Sequence, residues 1–241
     1  MAIVTREFDY EVNGAIFDGA VALDDAQAGT RPAVMVYHGW EGRSDAQVDC
    51  ARSLAKLGYV GVACDMFGKG IRGEVTGDNS ALIAPFLRDR AMLRTRLVGT
   101  VEAVRALPEV DPYRVAAIGF CFGGLCVLDL ARSGVDVRGV ASFHGLFGKP
   151  EGLPTAPIKA KVVAFHGWDD PMVPPEDVVA LGKELTEAAA DWQIHAYGGT
   201  MHAFMAVGVS RPDAGLEYNE RSARRAWVSL VAFLAEACGD E

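Results

Sequence analysis

A cysteine enclosed by glycines is the first feature of this sequence that could do chemistry. The sequence GFCFGG, residues 119–124, follows an apolar run and opens a segment with helical character. A strand that turns sharply into a helix strains its central residue, and only small neighbours avoid a collision there. The side chain of Cys121 would then project at the positive end of the helix, which favours a thiolate. The motif predicts a nucleophile, although cysteine is also among the residue types most often buried.

Two later loops carry the partners that such a nucleophile needs. The sequence FHGWDDPMVP, residues 165–174, ends an apolar strand and enters a loop with two aspartates. Asp170 stands directly before a proline and is predicted to orient a histidine, whereas Asp169 is interpreted as a turn or helix-cap residue. The sequence YGGTMHAF, residues 197–204, places His202 in a glycine-rich loop after the next strand. A histidine in such a loop is seldom needed for packing, so we interpret His202 as the general base.

The order of these residues along the chain is itself informative. Nucleophile, acid and histidine follow one another as Cys121, Asp170 and His202, which is the order of α/β-hydrolases. A fourth loop, HGWEG at residues 38–42, would supply one backbone N–H of an oxyanion hole, and the N–H of Phe122 the other. Either Gly39 or Trp40 could be the first donor, and Trp40 could equally be a core residue.

These loops require a scaffold whose strands end at one edge of a sheet. The apolar patterns alternate between strands and helices, which predicts an α/β fold with a mostly parallel sheet and helices on both faces. In such sheets the active groups lie in loops at the carboxyl ends of the strands. A hairpin is predicted over 4–23, strands over 33–37, 59–64, 115–120, 137–143, 162–165 and 192–197, and helices over 45–57, 87–107, 123–132, 175–190 and 217–237. We expect a single α/β-hydrolase domain over residues 1–241.

Composition excludes several classes of function. With 241 residues, of which 50% are hydrophobic, the chain can bury a sizeable core. Its net charge of −9 argues against nucleic acid or an anionic membrane as a partner. Charged residues stand within the first ten, and no apolar run approaches the ~20 residues of a membrane span. Five cysteines without CxxC spacing fit a reducing cytoplasm, and we expect a cytoplasmic monomer or homodimer.

The sequences GFCFGG, HGWDDP and GTMHAF resemble the dienelactone hydrolase family. The resemblance runs over nearly the whole chain and includes CDMFG at residues 64–68. It implies that Cys121 is the nucleophile, His202 the base and Asp170 its orienter in one α/β-hydrolase domain. It also implies hydrolysis of lactones and esters without a cofactor or metal.

Two departures from the family pattern change the expected substrate. Dienelactone hydrolase carries a glutamate in this loop that helps to control the thiol, and the aligned residue here is Gly39. Glu41, two residues later, either takes over the role of that glutamate or is a surface residue, and we favour the first of these two interpretations. Ala206 stands where an arginine binds the dienelactone carboxylate. We therefore predict neutral, hydrophobic esters such as aryl esters, with phosphotriesters as side substrates. The predicted apolar lining consists of Trp40, Phe67, Phe122, Met172, Met201 and Phe204.

Two other functions are compatible with the same residues. Cys121 could be a redox-sensing thiol with Cys126 as its partner, although a helix would turn Cys126 towards the core. The chain could also be a binding protein on a hydrolase scaffold, but an intact triad argues against that reading.

Overall fold

The computed structural model describes residues 2–74 and 77–239. The chain divides into two compact units, the first ending at Ile118 and the second beginning at Gly119. The first unit contains β1 (Ile3–Val12), β2 (Ala15–Asp24), β3 (Arg31–Tyr37), α1 (Asp45–Ala55), β4 (Val60–Cys64), α2 (Ser80–Arg88), α3 (Arg90–Arg105) and most of β5 (Val110–Phe120). The second contains α4 (Phe122–Arg132), β6 (Gly139–Phe143), β7 (Lys161–Gly167), α5 (Pro175–Glu187), β8 (Trp192–Tyr197), the short strands β9 (Ser210–Arg211) and β10 (Leu216–Glu217), and α6 (Glu220–Cys238).

In the first unit an N-terminal hairpin joins a parallel pair of strands. The hairpin turns at Asn13 and Gly14, which both have positive φ, as a tight two-residue turn requires. Strand β2 pairs antiparallel with β4, and β4 pairs parallel with β3. Gly61 in β4 lies directly beneath the backbone of Ala51 in α1, so a side chain there would collide with the helix. The loops after β3 and β4 therefore follow strands that belong to a closely packed part of the first unit.

In the second unit three strands lie side by side in the order β6, β7, β8, and both pairings are parallel. Arg132, at the end of α4, is almost completely buried. It donates to Asp129, to both carboxylate oxygens of Glu184 in α5, and to the carbonyls of Phe147 and Gly148. Because the guanidinium is paired on several sides, this buried charge can be accommodated, and it ties α4 to α5 and to the loop after β6.

The predicted α/β class with mostly parallel strands is confirmed, and the hairpin and most helices lie where expected. The helix predicted over 87–107 is wrong in its start, because two helices, α2 and α3, meet at Asp89. The side chain of Asp89 accepts from the Met92 N–H at 2.8 Å and caps a new helix. Strand β5 also begins earlier than predicted, at Val110. None of the helices in the described part of the chain is both long and apolar enough to cross a bilayer.

Candidate active site

Cys121 occupies the sharp turn between β5 and α4. It has φ 54° and ψ −113°, a strained combination for a residue with a side chain, and it is the N-cap of α4. Its N–H donates to the carbonyl of Phe143 in β6 at 3.0 Å. The glycines explain how the turn fits: a Cβ on Gly119 would collide with the carbonyl of Gly123, and one on Gly124 would lie 2.6 Å from the Cα of Gly145. The half-buried thiol is therefore held at the start of a helix by backbone that no larger residue could replace.

Asp170 and His202 meet in a buried hydrogen bond. The His202 Nδ1 lies 2.7 Å from Asp170 Oδ2, and each residue is 2% exposed. The other carboxylate oxygen accepts from the Met172 N–H at 2.9 Å, which fixes the carboxylate in its loop. Asp169 has an exposed side chain and contributes only its N–H, to the carbonyl of Thr200. Of the two neighbouring aspartates, Asp170 is thus the one that contacts the histidine.

Backbone contacts hold the His202 loop in place. The His202 N–H donates to the carbonyl of Gly215, and its own carbonyl accepts from the Glu217 N–H, both at 3.0 Å. At the end of β7, a Cβ on Gly167 would approach the carbonyls of Thr200 and Met201 to about 2.6 Å. The two loops that carry Asp170 and His202 can therefore lie against each other only because residue 167 is glycine.

The electrostatics of this cluster favour a protonated His202. Burial lowers the pKa of His202, but hydrogen bonding and charge from Asp170 and Cys121 outweigh it and raise the pKa to about 10. The buried Nε2 makes no hydrogen bond of regular geometry to a described residue. Cys121 nevertheless contributes to the raised pKa of the His202 ring. An imidazolium beside a thiol is the arrangement that stabilises a thiolate.

His144 is a neighbour of His202 that the sequence reasoning did not select. It follows β6 with φ 37°, and its ring meets the His202 ring edge-on at 4.9 Å. Burial and the charge of His202 hold the pKa of His144 well below its usual value, so its ring is neutral. Neither ring nitrogen has a hydrogen-bond partner among the residues described. Its place directly after a strand was the signal that could have indicated it.

In the first unit, the loop after β3 folds the carboxylate of Glu41 back over Gly39. A Cβ on Gly39 would lie 2.6 Å from Glu41 Oε2, so the carboxylate fills the space that a side chain at residue 39 would need. Burial raises the pKa of Glu41, against the opposing hydrogen bonds of its own N–H, Gln47 and the Gly39 N–H. The half-buried carboxylate is thus built into the loop. Trp40, between these residues, is also half-buried.

The other residues predicted to line an apolar site differ in exposure. Met172 is 46% exposed in the Asp170 loop, and Met201 is half-buried beside His202. Phe67 is buried and stacks on Phe86 with ring centroids 5.7 Å apart. Phe204 has no exposed surface, and its ring packs edge-on against those of His144 and Tyr197, so we assign it a supporting position. Phe122 is buried in the first turn of α4.

The fold and the site together define an α/β-hydrolase. Parallel strands alternate with helices, a strained residue lies between a strand and a helix, and an acid–histidine pair follows later strands. An α/β-hydrolase enzyme from a deep-sea metagenome library shares this fold with a TM-score of 0.68 at 18% identity, over 97% of this chain and 98% of that one. Among the described residues, no three His, Cys, Asp or Glu side chains are grouped as ligands for a metal ion.

The family within this class follows from the sequence. The dienelactone hydrolase family model matches residues 17–238, and the chain belongs to that family. A dienelactone hydrolase-like promiscuous phosphotriesterase from metagenomic libraries is 33% identical, with a TM-score of 0.93 over 99% of this chain and 100% of that one. A protein of Synechocystis sp. that is named as a candidate carboxymethylenebutenolidase is 30% identical over 213 residues, 83% of each chain.

Proposed function

We propose that this member of the family is a cysteine-dependent hydrolase of neutral, hydrophobic carboxylic esters or lactones. The observation that carries the proposal is the buried His202–Asp170 pair, whose histidine has its pKa raised by both Asp170 and Cys121. A histidine that interacts with a carboxylate on one side and a thiol on the other has the arrangement that activates a nucleophile. Cys121 would act as the nucleophile, His202 as acid and base, and Asp170 would fix the imidazole.

Acylation would begin from the thiolate of Cys121 and the imidazolium of His202. The sulfur attacks the ester carbonyl, and the N–H of Phe122, directly after the nucleophile, binds the developing oxyanion. As the tetrahedral intermediate collapses, the C–O bond breaks and His202 gives its proton to the departing alkoxide. The products of this half-reaction are an alcohol and a thioester on Cys121.

Deacylation would use the same histidine in the opposite sense. His202, now neutral, takes a proton from water, and the resulting hydroxide attacks the thioester carbonyl. The C–S bond then breaks, the carboxylic acid leaves, and the proton held by His202 again faces a thiolate. No cofactor enters this sequence.

The test is hydrolysis of p-nitrophenyl butyrate by the wild type, Cys121→Ala and Cys50→Ala. Cys50 is the matched control because it is the other half-buried cysteine among the five free thiols. We expect a burst of p-nitrophenol followed by steady turnover in the wild type and in Cys50→Ala, and neither in Cys121→Ala. Equal activity in all three proteins would refute the proposed nucleophile. Oxidation of Cys121 by peroxide in a protein that hydrolyses no ester would favour a redox role instead.

The proposed preference for neutral esters rests on Ala206, which replaces the carboxylate-binding arginine of the family pattern, and on the apolar residues near the proposed triad. Without that arginine, a carboxylate on the substrate would lose its water without gaining this partner. Comparison of kcat/KM for an aryl ester and its carboxylate-bearing analogue tests this preference. A higher kcat/KM for the anionic substrate would contradict it.

We also propose slow turnover of neutral phosphotriesters. The support is the likeness to a dienelactone hydrolase-like promiscuous phosphotriesterase. The thiolate would attack phosphorus and expel an aryloxide, and water would then break the S–P bond and restore the thiol, a better leaving group than a serine alkoxide. We expect several equivalents of p-nitrophenol per enzyme from a diethyl p-nitrophenyl phosphate. One equivalent followed by permanent inactivation would exclude turnover.

Glu41 is proposed to modulate the thiol, because its carboxylate fills the space above Gly39 where family members carry their glutamate side chain. Glu41→Gln keeps the shape and removes the charge. We expect this variant to change the pH dependence of Cys121 alkylation by iodoacetamide. Glu7→Gln, an exposed carboxylate on β1, is the control. Identical alkylation profiles for Glu41→Gln and the wild type would make Glu41 a structural residue.

A further inference from the structure

Strand β8 of the second unit has one edge whose backbone groups lack a neighbouring strand. In the described part of the chain, β8 pairs with β7 alone. The carbonyl of Asp191, directly before β8, accepts from the Val162 N–H of β7 at 2.8 Å. The N–H and C=O groups of successive residues alternate between the two edges of a strand. Trp192, Ile194 and Ala196 therefore direct theirs away from β7.

The composition of β8 gives this edge no protection against pairing with another strand. Natural edge strands usually carry charged side chains, proline or a bulge, which prevent association with a second sheet edge. Strand β1, which pairs only with β2 among the described strands, follows that pattern with Arg6, Glu7, Asp9 and Glu11. Strand β8 has the sequence WQIHAY, without proline, Lys, Arg or an acidic residue. Its composition therefore permits association at this edge.

Exposed apolar side chains flank the same edge on both faces of the strand. Trp192 and Ile194 line a groove against α5, where Val179 is 55% exposed. Tyr197 lies on the opposite face of β8, against α6, where Val228 is 65% exposed. A partner that continues the strand and also covers its two faces would bury both valines.

The direction of α5 makes this edge complementary to itself. A Cβ on Gly182, in the second half of α5, would lie 3.3 Å from the ring of Trp192 at the start of β8, so the helix and the strand run in opposite directions. A two-fold axis at Ile194 would bring the second half of α5 in one copy beside the first half in the other. Lys183 is exposed in the second half and Glu176 in the first, so opposite charges would face each other.

We propose that the free edge of β8, with Val179 and Val228 beside it, binds a second copy of this chain, and that the two β8 strands pair antiparallel about a two-fold axis at Ile194. Ile194 then pairs with its own symmetry mate and Trp192 with Ala196 of the other copy, and the residues of each pair exchange both N–H···O bonds. An extended peptide would pair with the backbone but leave the valines uncovered. The inference does not depend on the proposed hydrolase activity.

Ile194→Pro tests the backbone pairing. Because the Ile194 N–H faces away from β7, proline removes an outward donor and leaves the bonds to β7 in place. Sedimentation equilibrium at micromolar concentration should give twice the chain mass of 25.7 kDa for the wild type and the single mass for Ile194→Pro. Gln193→Thr is the matched control, since this neighbouring residue directs its N–H towards β7, and this variant should remain a dimer.

Charge reversal tests the symmetry with exposed residues that the fold does not depend on. Lys183→Glu and Glu176→Lys each place like charges together twice across the two-fold axis, so each should weaken the dimer on the order of tenfold. The double variant restores opposite charges and should recover most of the affinity. Lys149→Glu, an exposed residue of the loop after β6, makes the same charge change away from β8 and should have no effect. A double variant as weak as the single ones would refute this arrangement.

Hydrogen exchange identifies the surface itself. The Ile194 and Ala196 amides should exchange slowly in the dimeric wild type and rapidly when Lys183→Glu is diluted to monomer, whereas the Gln193 and His195 amides, bonded to β7, should be slow in both. A wild type that is monomeric throughout the micromolar range, a dimer that persists in Ile194→Pro, or rapid exchange of the Ile194 and Ala196 amides in the wild type would each overturn the proposal.

Discussion

At the scale of single residues, the proposed mechanism requires His202 to serve as an acid in one half-reaction and a base in the other. In the free protein its pKa is raised to about 10 by Asp170 and Cys121, against the opposing effect of burial. Once Cys121 is acylated, the sulfur carries no charge, and part of what raises the pKa disappears. Burial then weighs more, so the pKa of His202 falls in the acyl-enzyme and the ring becomes available as a base. Acylation itself would thus switch the role of the histidine.

The pH dependence of acylation follows from this pKa. The imidazolium must protonate the departing alkoxide, so kcat/KM should fall as the pH rises through about 10. Because the folded-state pKa lies above the ordinary value of 6.5, the stabilisation from this charged cluster is complete below that value and is lost as the pH rises through about 10. Profiles of kcat/KM and of the free energy of unfolding against pH test both statements. An alkaline limb near pH 7 would contradict them.

Asp170→Asn should reduce kcat by roughly 10²- to 10⁴-fold, because the imidazole loses the carboxylate that fixes its tautomer and stabilises its charge. The alkaline limb of kcat/KM should move to lower pH in the same variant. Asp169→Asn is the control, since its side chain is exposed and does not contact His202. If the two substitutions had equal effects on kcat, the Asp170–His202 hydrogen bond would not be the functional one.

At the scale of secondary-structure elements, the turn from β5 into α4 decides where the thiol stands. The strain at Cys121 persists because the elements on either side are buried and hydrogen-bonded, including the bond from the Cys121 N–H to Phe143 in β6. Gly119 and Gly124 permit close backbone approaches around the turn. The position of the Cys121 thiol therefore depends on two neighbouring residues that have no side chain, Gly119 and Gly124.

Gly119→Ala should lower the free energy of unfolding by about 3 kcal/mol or more, because the new Cβ would overlap the carbonyl of Gly123 and only backbone movement could relieve it. Activity should fall as well, since the same movement displaces Cys121. Gly198→Ala, where nothing lies within 4 Å of the added Cβ, is the control and should change stability little. Urea unfolding of the two variants measures the difference. A Gly119→Ala protein as stable as Gly198→Ala would show that the turn is not as tight as described.

At the scale of the whole molecule, the residues predicted to form the active site come from both halves of the chain. The HGWEG loop at residues 38–42 belongs to the first unit, and Cys121, Asp170 and His202 belong to the second. The net charge of −9 suits a neutral substrate better than an anionic polymer.

The sequence predicts one domain over residues 1–241, and one domain should unfold in one step. We expect a single calorimetric transition whose van't Hoff enthalpy equals its calorimetric enthalpy. Cys50→Ala should show the same single transition and serves as the control for thiol oxidation. Two separable transitions would mean that the units ending and beginning near residue 118 are independent domains.

The sequence by itself determined the α/β class, the dienelactone hydrolase resemblance, the order of nucleophile, acid and histidine, and the choice of Asp170 over Asp169. These features depend on local hydrophobic periodicity and on the residue types of turns, and both can be recognised from a few consecutive residues of the sequence. It could not show the break at Asp89, where a cap competes with a continuing helical pattern.

Only the tertiary structure decided which groups meet. The contact of His144 with His202 joins distant parts of the chain, whereas the carboxylate of Glu41 above Gly39 and the bond from His38 to the Gly39 carbonyl depend on how one loop directs its side chains. A difference of a few ångströms separates a hydrogen bond from no interaction, and that precision comes from the packing of whole elements rather than from any local pattern.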